Sequence, residues 1–162
     1  MRIIFDTSAL MSLTAGNILD LVVESFNCVI PSRVEAEIKG LSKNNTYEGN
    51  LAKKIFEYIN NDIKVIEAYK KSKEGELECT YLANELEDAE FLITDDIASL
   101  KKLVKKCKKE VRFSTTIIYA LYLKEKITKE QGRKIIEKIS TKRNWKNNLI
   151  FEQSQELWKE LE

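Results

Sequence analysis

Short apolar runs alternate with longer amphipathic stretches along this chain. Runs rich in β-branched and aromatic residues fall at positions 2–5, 27–30, 63–66, 90–94 and 111–113, each the length of a strand and shorter than a typical helix. Between them the apolar positions return every three or four residues, the spacing that lines one face of a helix. From Asp96 onward Ile97, Leu100, Leu103, Val104 and Cys107 follow this rule, with Asp95 or Asp96 placed to cap the first turn. Thr128 and Gln131 form a capping-box pattern, which opens a helix expected to run to about Ile139. Strands alternating with helices predict the α/β class, with a mostly parallel central sheet covered by helices on both faces. No repeat or linker interrupts the pattern, and one proline and five glycines leave few places to divide it, so residues 1–162 are expected to form a single domain. From about residue 141 the character changes. Trp145, Leu149, Phe151, Leu157 and Trp158 predict one or two last helices, packed on the outside of the domain or offering an apolar surface to a partner.

Composition narrows the chemistry. With 43% hydrophobic and 33% charged residues the chain is of the globular kind, and 27 Lys plus Arg against 26 Asp plus Glu leave a net charge of +1. Any attraction to a polyanion must therefore be local. The absence of histidine removes zinc fingers, HExxH sites and catalytic triads. Cys28, Cys79 and Cys107 form no CxxC pair and are expected mainly to fill core. No signal peptide and no membrane-length apolar run is present, so a cytoplasmic location away from membranes is expected.

Carboxylates are what remain, and their positions are informative. In an open parallel sheet, ligands gather at the carboxyl ends of the strands. Asp6 ends the first strand and Asp95 and Asp96 end the FLIT strand, so their acids share one edge if those strands are neighbours. Asp6 and Asp96 can equally be read as caps of the helices that follow. In PSRVEAEIKGL, Glu37 lies roughly 65° from the centre of the face formed by Val34, Ile38 and Leu41, and Glu35 roughly 95° away on the other side. In KEGELECTYLANEL, Glu76 flanks the stripe of Cys79, Leu82, Ala83 and Leu86, while Glu78 sits further round. Taken together, half-buried acids repel one another unless a cation joins them, and Mg²⁺ or Mn²⁺ prefers such oxygen ligands. Activated water is then the plausible nucleophile for a phosphodiester.

The motifs FDTSAL, IPSRVEAE, GELECTYLA and FLITDD, in that order, resemble those of the PIN-domain nucleases, including the toxin ribonucleases of VapBC-type toxin–antitoxin pairs. FSTTIIYALYLKEKIT is similar to the segment after the last acid in that family. The resemblance covers roughly residues 1–139. It implies a three-layer α/β/α sandwich, a ribonuclease activity dependent on Mg²⁺ or Mn²⁺, and metal-binding catalytic acids at Asp6, Glu37, Glu76 and Asp96, with Asp95 competing for the last position. It also implies an RNA substrate, an antitoxin partner and a homodimer. Ser8 would position a water or phosphate, and Thr115 or Thr116 would sit near the site. The chain departs from the family at Leu77, Cys79 and Tyr81, where small alanines are usual, and in the tail after Thr141, for which the motifs give no counterpart. A haloacid-dehalogenase-like phosphatase, with Asp6 as nucleophile and Asp95 and Asp96 on Mg²⁺, is the alternative enzyme. Its second acid is missing, because position 8 is serine. The remaining alternative is a non-catalytic interaction module on the same fold.

Lys101, Lys102, Lys105, Lys106, Lys108 and Lys109 follow the Asp pair along its helix. They read either as a solubility device or as a phosphate-tracking stripe, with Lys101 and Lys105 the leading candidates. Arg33, Lys142, Arg143 and Lys146 are further candidates. No aromatic-interleaved motif for reading bases is visible.

Overall fold

The five apolar runs become five strands, β1 (Arg2–Phe5), β2 (Cys28–Pro31), β3 (Ile63–Ile66), β4 (Ala89–Ile93) and β5 (Glu110–Arg112). Each lies within a residue of where the hydrophobic pattern puts it. In the computed structural model, which describes residues 2–145 and 147–159, they form one sheet in the order β3-β2-β1-β4-β5. The expected mostly parallel sheet is parallel at every pairing. A sheet covered on both faces needs strands that are apolar on both sides. The central strands supply this, with Ile3, Ile4, Phe5, Cys28, Val29, Ile30, Leu92 and Ile93 all buried.

The connections are the helices α1 (Thr7–Ala15), α2 (Leu19–Ser25), α3 (Ser32–Leu41), α4 (Tyr47–Tyr58), α5 (Gly75–Glu85), α6 (Ile97–Lys106), α7 (Ser114–Leu123), α8 (Lys129–Arg143) and α9 (Leu149–Lys159). From β1 to β3 the chain steps across the sheet in one direction, and from β3 to β5 it steps in the other. Right-handed crossovers therefore place α1 to α4 on one face and α5 with α6 on the opposite one, giving three α/β/α layers. The contacts agree: α1 packs on α4, α7 and α8, and α5 packs on α6. Buried from Ala9 to Ala15, α1 lacks a polar face because it is enclosed on all sides.

Several helix ends have identifiable causes. The expected capping box opens α8, with Thr128 N donating to Gln131 Oε1 (2.7 Å) and Gln131 N to Thr128 Oγ1 (3.2 Å), and the helix runs past Ile139 to Arg143. The lysine helix is shorter than its pattern suggests. Asn84 closes α6 by donating to Lys106 O (2.9 Å) and accepting from Lys108 N (2.6 Å), so Lys108 and Lys109 lie beyond it. The aromatic tail turns inward. Trp158 is buried against Tyr119 and Tyr122, with ring centroids 5.7 and 5.4 Å away, and lies so close over Gly132 that a Cβ there would stand 2.4 Å from the indole. Lys146 lies outside the described residues. Among the described residues no helix is long and apolar enough to cross a membrane.

Candidate active site

β1 and β4, the two strands that end in acids, are hydrogen-bonded neighbours, with Phe5 beside Ile93 and Asp6 N donating to Ile93 O (3.1 Å). The chain leaves β1 toward β2 on one side and returns to β4 on the other. The carboxyl ends of β1 and β4 therefore flank a topological switch point, the position where open α/β sheets leave a crevice.

Asp6 stands at this point with only 4% of its surface exposed. Its Oδ1 accepts from Ala9 N (2.9 Å), which caps α1, and from Ser8 Oγ (2.7 Å), while its Oδ2 accepts from Thr94 Oγ1. These partners are neutral. Burial pushes the Asp6 carboxyl up to about 7, against the lowering effect of its three hydrogen bonds, and nearby Asp95 adds to the rise. Among the described residues no lysine or arginine forms an ion pair with Asp6.

The other acids reach the same crevice through short links. Glu37 accepts from Thr7 Oγ1 (2.6 Å) and Gly75 N (3.2 Å), the chain neighbours of Asp6 and Glu76, and pairs with Arg33 (3.4 Å). Gly75 lets the Glu37 carboxylate sit against the helix start, since a Cβ there would lie 2.6 Å from it. Ser99 Oγ stands within hydrogen-bond reach of both Glu76 Oε1 (3.2 Å) and Asp96 Oδ2 (2.8 Å). Asp96 also caps α6 through Ser99 N (3.2 Å), and its own N–H donates to Thr94 Oγ1 (3.1 Å). Cys79, on α5 with Glu76, is fully buried, with its thiol directed at Phe5 O (3.5 Å). Burial, followed by the charges of Asp6, Glu37, Glu76 and Glu78, holds that thiol well above its ordinary range. Asp6, Glu37 and Glu76, together with Glu78, thus act on one thiol. As the side chains stand, no three acidic or thiol groups among the described residues form a ready-made ion cage. Hydroxyls of Thr7, Ser8, Thr94 and Ser99 occupy the spaces between them.

Two carboxylates differ from their sequence-based placement or leave it open. Glu78, expected further round the helix from the apolar stripe, is 2% exposed. It accepts from Ser32 Oγ (3.2 Å), Arg33 N (3.1 Å) and Ser72 N (2.9 Å), so it serves the start of α3, where Pro31 has no capping side chain. Helical periodicity carries no signal for this, because the need arises on another element. Asp95 is turned away from Asp96 and gives both oxygens to Ser114, to its N–H (2.9 Å) and its hydroxyl (2.6 Å), at the start of α7. Burial raises its pKa, opposed by the bonds from Ser114 and Ser12 and the charge of Arg143.

The candidate substrate contacts scatter. Ser8 Oγ donates to Asp6 and accepts from Asp95 N (2.8 Å), so its hydroxyl joins the two strand ends. Arg33 is held at the rim by Glu37. Thr115 is fully buried with no partner for its hydroxyl among the described residues, and Thr116 is half-buried. Lys101 and Lys105 are exposed on α6. It is Lys102 that faces the acids, pairing with Glu74 beside Glu76, and the Glu74 hydrogen bond raises its pKa. Lys142 lies over the Tyr47 ring, 5.8 Å from its centroid.

A family model described as a PIN domain matches residues 2–160. The match takes in α9 and the Trp-bearing tail, which the motif resemblance had left without a counterpart. No curated protein and no solved structure matches the chain.

Proposed function

The chain belongs to the PIN-domain family, and from that premise we propose that it is a ribonuclease that hydrolyses RNA phosphodiester bonds with a divalent ion, Mg²⁺ or Mn²⁺. The observation that supports the reading is the closeness of Asp6, Glu37 and Glu76 to the buried Cys79 thiol beside the β1/β4 switch point, with Asp96 joined to Glu76 through Ser99. The donor chemistry fits a hard ion: the acids offer only oxygen, the chain has no histidine, and Asp6 is buried without a cationic partner among the described residues. Asp6, Glu76 and Asp96 would hold the ion, and Asp95, spent on α7, would not. The ion supplies, when bound, polarisation of water and of phosphate oxygens.

The chain's own groups do the positioning. Thr94 and Ser8 fix the Asp6 carboxylate, Gly75 and Thr7 fix Glu37, and Ser99 aligns Glu76 with Asp96. Arg33 and Lys102 at the rim offer positive charge to the phosphates of a strand entering the crevice. Attack by water at phosphorus, with departure of the 3′-oxygen, leaves a 5′-phosphate and a 3′-hydroxyl. The likeness of the motifs to toxin ribonucleases extends the proposal to a toxin role, an antitoxin partner and a homodimer.

The test is cleavage of single-stranded RNA by the purified protein. Activity with Mg²⁺ or Mn²⁺, none in EDTA, and 5′-phosphate product ends are expected. Undiminished cleavage in excess chelator, or 2′,3′-cyclic phosphate ends, would refute the mechanism, because the first removes the ion and the second makes the 2′-hydroxyl the nucleophile.

A further inference from the structure

The loop between β3 and α5, residues 67–74, has no regular secondary structure, yet its backbone is tied down along its length. Tyr69 N and Lys70 N donate to the two carboxylate oxygens of Glu85 (2.8 and 3.2 Å), Ser72 N to Glu78 (2.9 Å), and Glu74 N to Ser72 Oγ (3.1 Å). Glu85 closes α5 and Glu78 lies in its first turn. The loop therefore runs back along that helix toward Glu76, with Ala68 buried beneath it. On this fixed track the Tyr69 side chain is presented to solvent, the residue being 96% exposed.

The loop that carries this ring also carries lysines and leads to the acids. Lys70, Lys71 and Lys73 are exposed. Lys70 lies over the Tyr81 ring (4.6 Å), and Lys71 reaches Ser32 at the start of α3 (3.1 Å). The acidic members of the stretch are already matched, Glu67 by Lys71 (3.6 Å) and Glu74 by Lys102. Gly75, the next residue, is bonded to Glu37. At 1.5 Å of rise per residue, Glu85 stands about 13 Å along the helix axis from Glu76, which places Tyr69 a few nucleotides from the crevice.

We infer that Tyr69 is a stacking platform for an unpaired base of a single-stranded polynucleotide, with Lys70 and Lys73 following its phosphates toward the acids. The inference rests on the nuclease reading and adds a base contact outside the acid site. An aromatic face accepts any base, so such a platform needs no hydrogen-bond code, but it does need a base that is free to leave its stack. In a protein of net charge +1 this local run of lysines, not the overall field, supplies the attraction.

The experiment compares wild type, Tyr69→Ala and Tyr69→Phe for binding of a labelled oligouridylate, in EDTA so that cleavage does not interfere, across a salt titration. Tyr69→Ala should weaken binding about tenfold while leaving the salt dependence unchanged, because a stacked base releases no counterions. Tyr69→Phe should bind as wild type does, and the same sequence annealed to its complement should bind more weakly than the single strand. Equal affinity of wild type and Tyr69→Ala, preference for the duplex, or no measurable binding by wild type overturns the inference. Cleavage in Mg²⁺ is scored separately. Binding that depends on Tyr69 without any cleavage would remove the nuclease reading and keep the platform, whereas cleavage unaffected by Tyr69→Ala in a variant that binds normally would do the reverse.

Discussion

Replacing Asp6 by Asn measures what it costs the fold to bury this carboxylate. Its pKa is pushed from an ordinary 3.8 up to about 7 in the folded chain. Between those values the folded protein retains a proton that the unfolded chain has released. The contribution to stability is therefore fully present below pH 3.8, declines as pH rises, and is lost above about pH 7. At 1.36 kcal/mol per pH unit the difference amounts to about 4 kcal/mol. Asn carries no charge and escapes this loss, but it disturbs one bond. Its Oδ1 can keep the donors Ser8 and Ala9, whereas its amide group would face Thr94 Oγ1, which now donates and would have to accept. That rearrangement costs about 1 kcal/mol.

The two terms give a pair of curves that separate as pH rises. Below about pH 4, where wild-type Asp6 is neutral and its own proton meets the same donors as the Asn amide would, the two proteins should be equally stable to within about 1 kcal/mol. At pH 8 in EDTA Asp6→Asn should be more stable, by about 2 to 3 kcal/mol. Urea unfolding followed by circular dichroism at each pH from 4 to 8 reads this directly. Asp95, whose pKa burial also raises, is common to both proteins and largely cancels in the difference. A constant offset across the pH range would refute the burial argument. Adding Mg²⁺ should stabilise wild type most at pH 8, where Asp6 is ionised, and stabilise Asp6→Asn less.

Two further substitutions separate placement from stability. Gly75→Ala puts a Cβ 2.6 Å from the Glu37 carboxylate, which can swing away at little cost, so stability should stay within about 1 kcal/mol while the Mg²⁺-dependent cleavage rate falls at least roughly tenfold, a displacement of the acid being worth about 1.4 kcal/mol or more in the transition state; full activity would show that the Glu37 position is immaterial. Glu78→Gln sets an amide group against one of the donors Ser32, Arg33 or Ser72, and should lower stability by about 2 kcal/mol; an unchanged urea midpoint would contradict the capping role assigned to it.

The strands were legible because each is a short apolar run bounded by polar residues, and a mostly parallel sheet followed from the helices between them. That Asp6 and Asp96 lie near one another was legible only conditionally. It depended on β1 and β4 being neighbours, and the strand order β3-β2-β1-β4-β5 is a tertiary fact. Glu37 was found from its angle on α3, since its own helix sets its burial. Glu78 was not, because what buries it is the start of α3 and the 67–74 loop, which helical spacing on α5 does not encode. The end of α6 was missed for the same reason: Asn84, on a different helix, closes it. Tyr69 escaped notice because nothing in a linear sequence distinguishes a held loop from a loose one.

The sequence posed helix cap and site acid as alternatives for Asp6 and Asp96, and the geometry makes them compatible. A carboxylate has two oxygens and about four lone pairs, and a cap uses one. Asp6 caps α1 with Oδ1 while Oδ2 points to Thr94, between the ends of β1 and β4. Asp96 caps α6 while sharing Ser99 with Glu76. Capping fixes each carboxylate at the N-terminus of the helix that follows its strand, where the helix dipole helps to orient it. Asp95 shows the limit of this economy. Both of its oxygens go to Ser114, so it ties β4 to α7 and leaves the crevice to its neighbour.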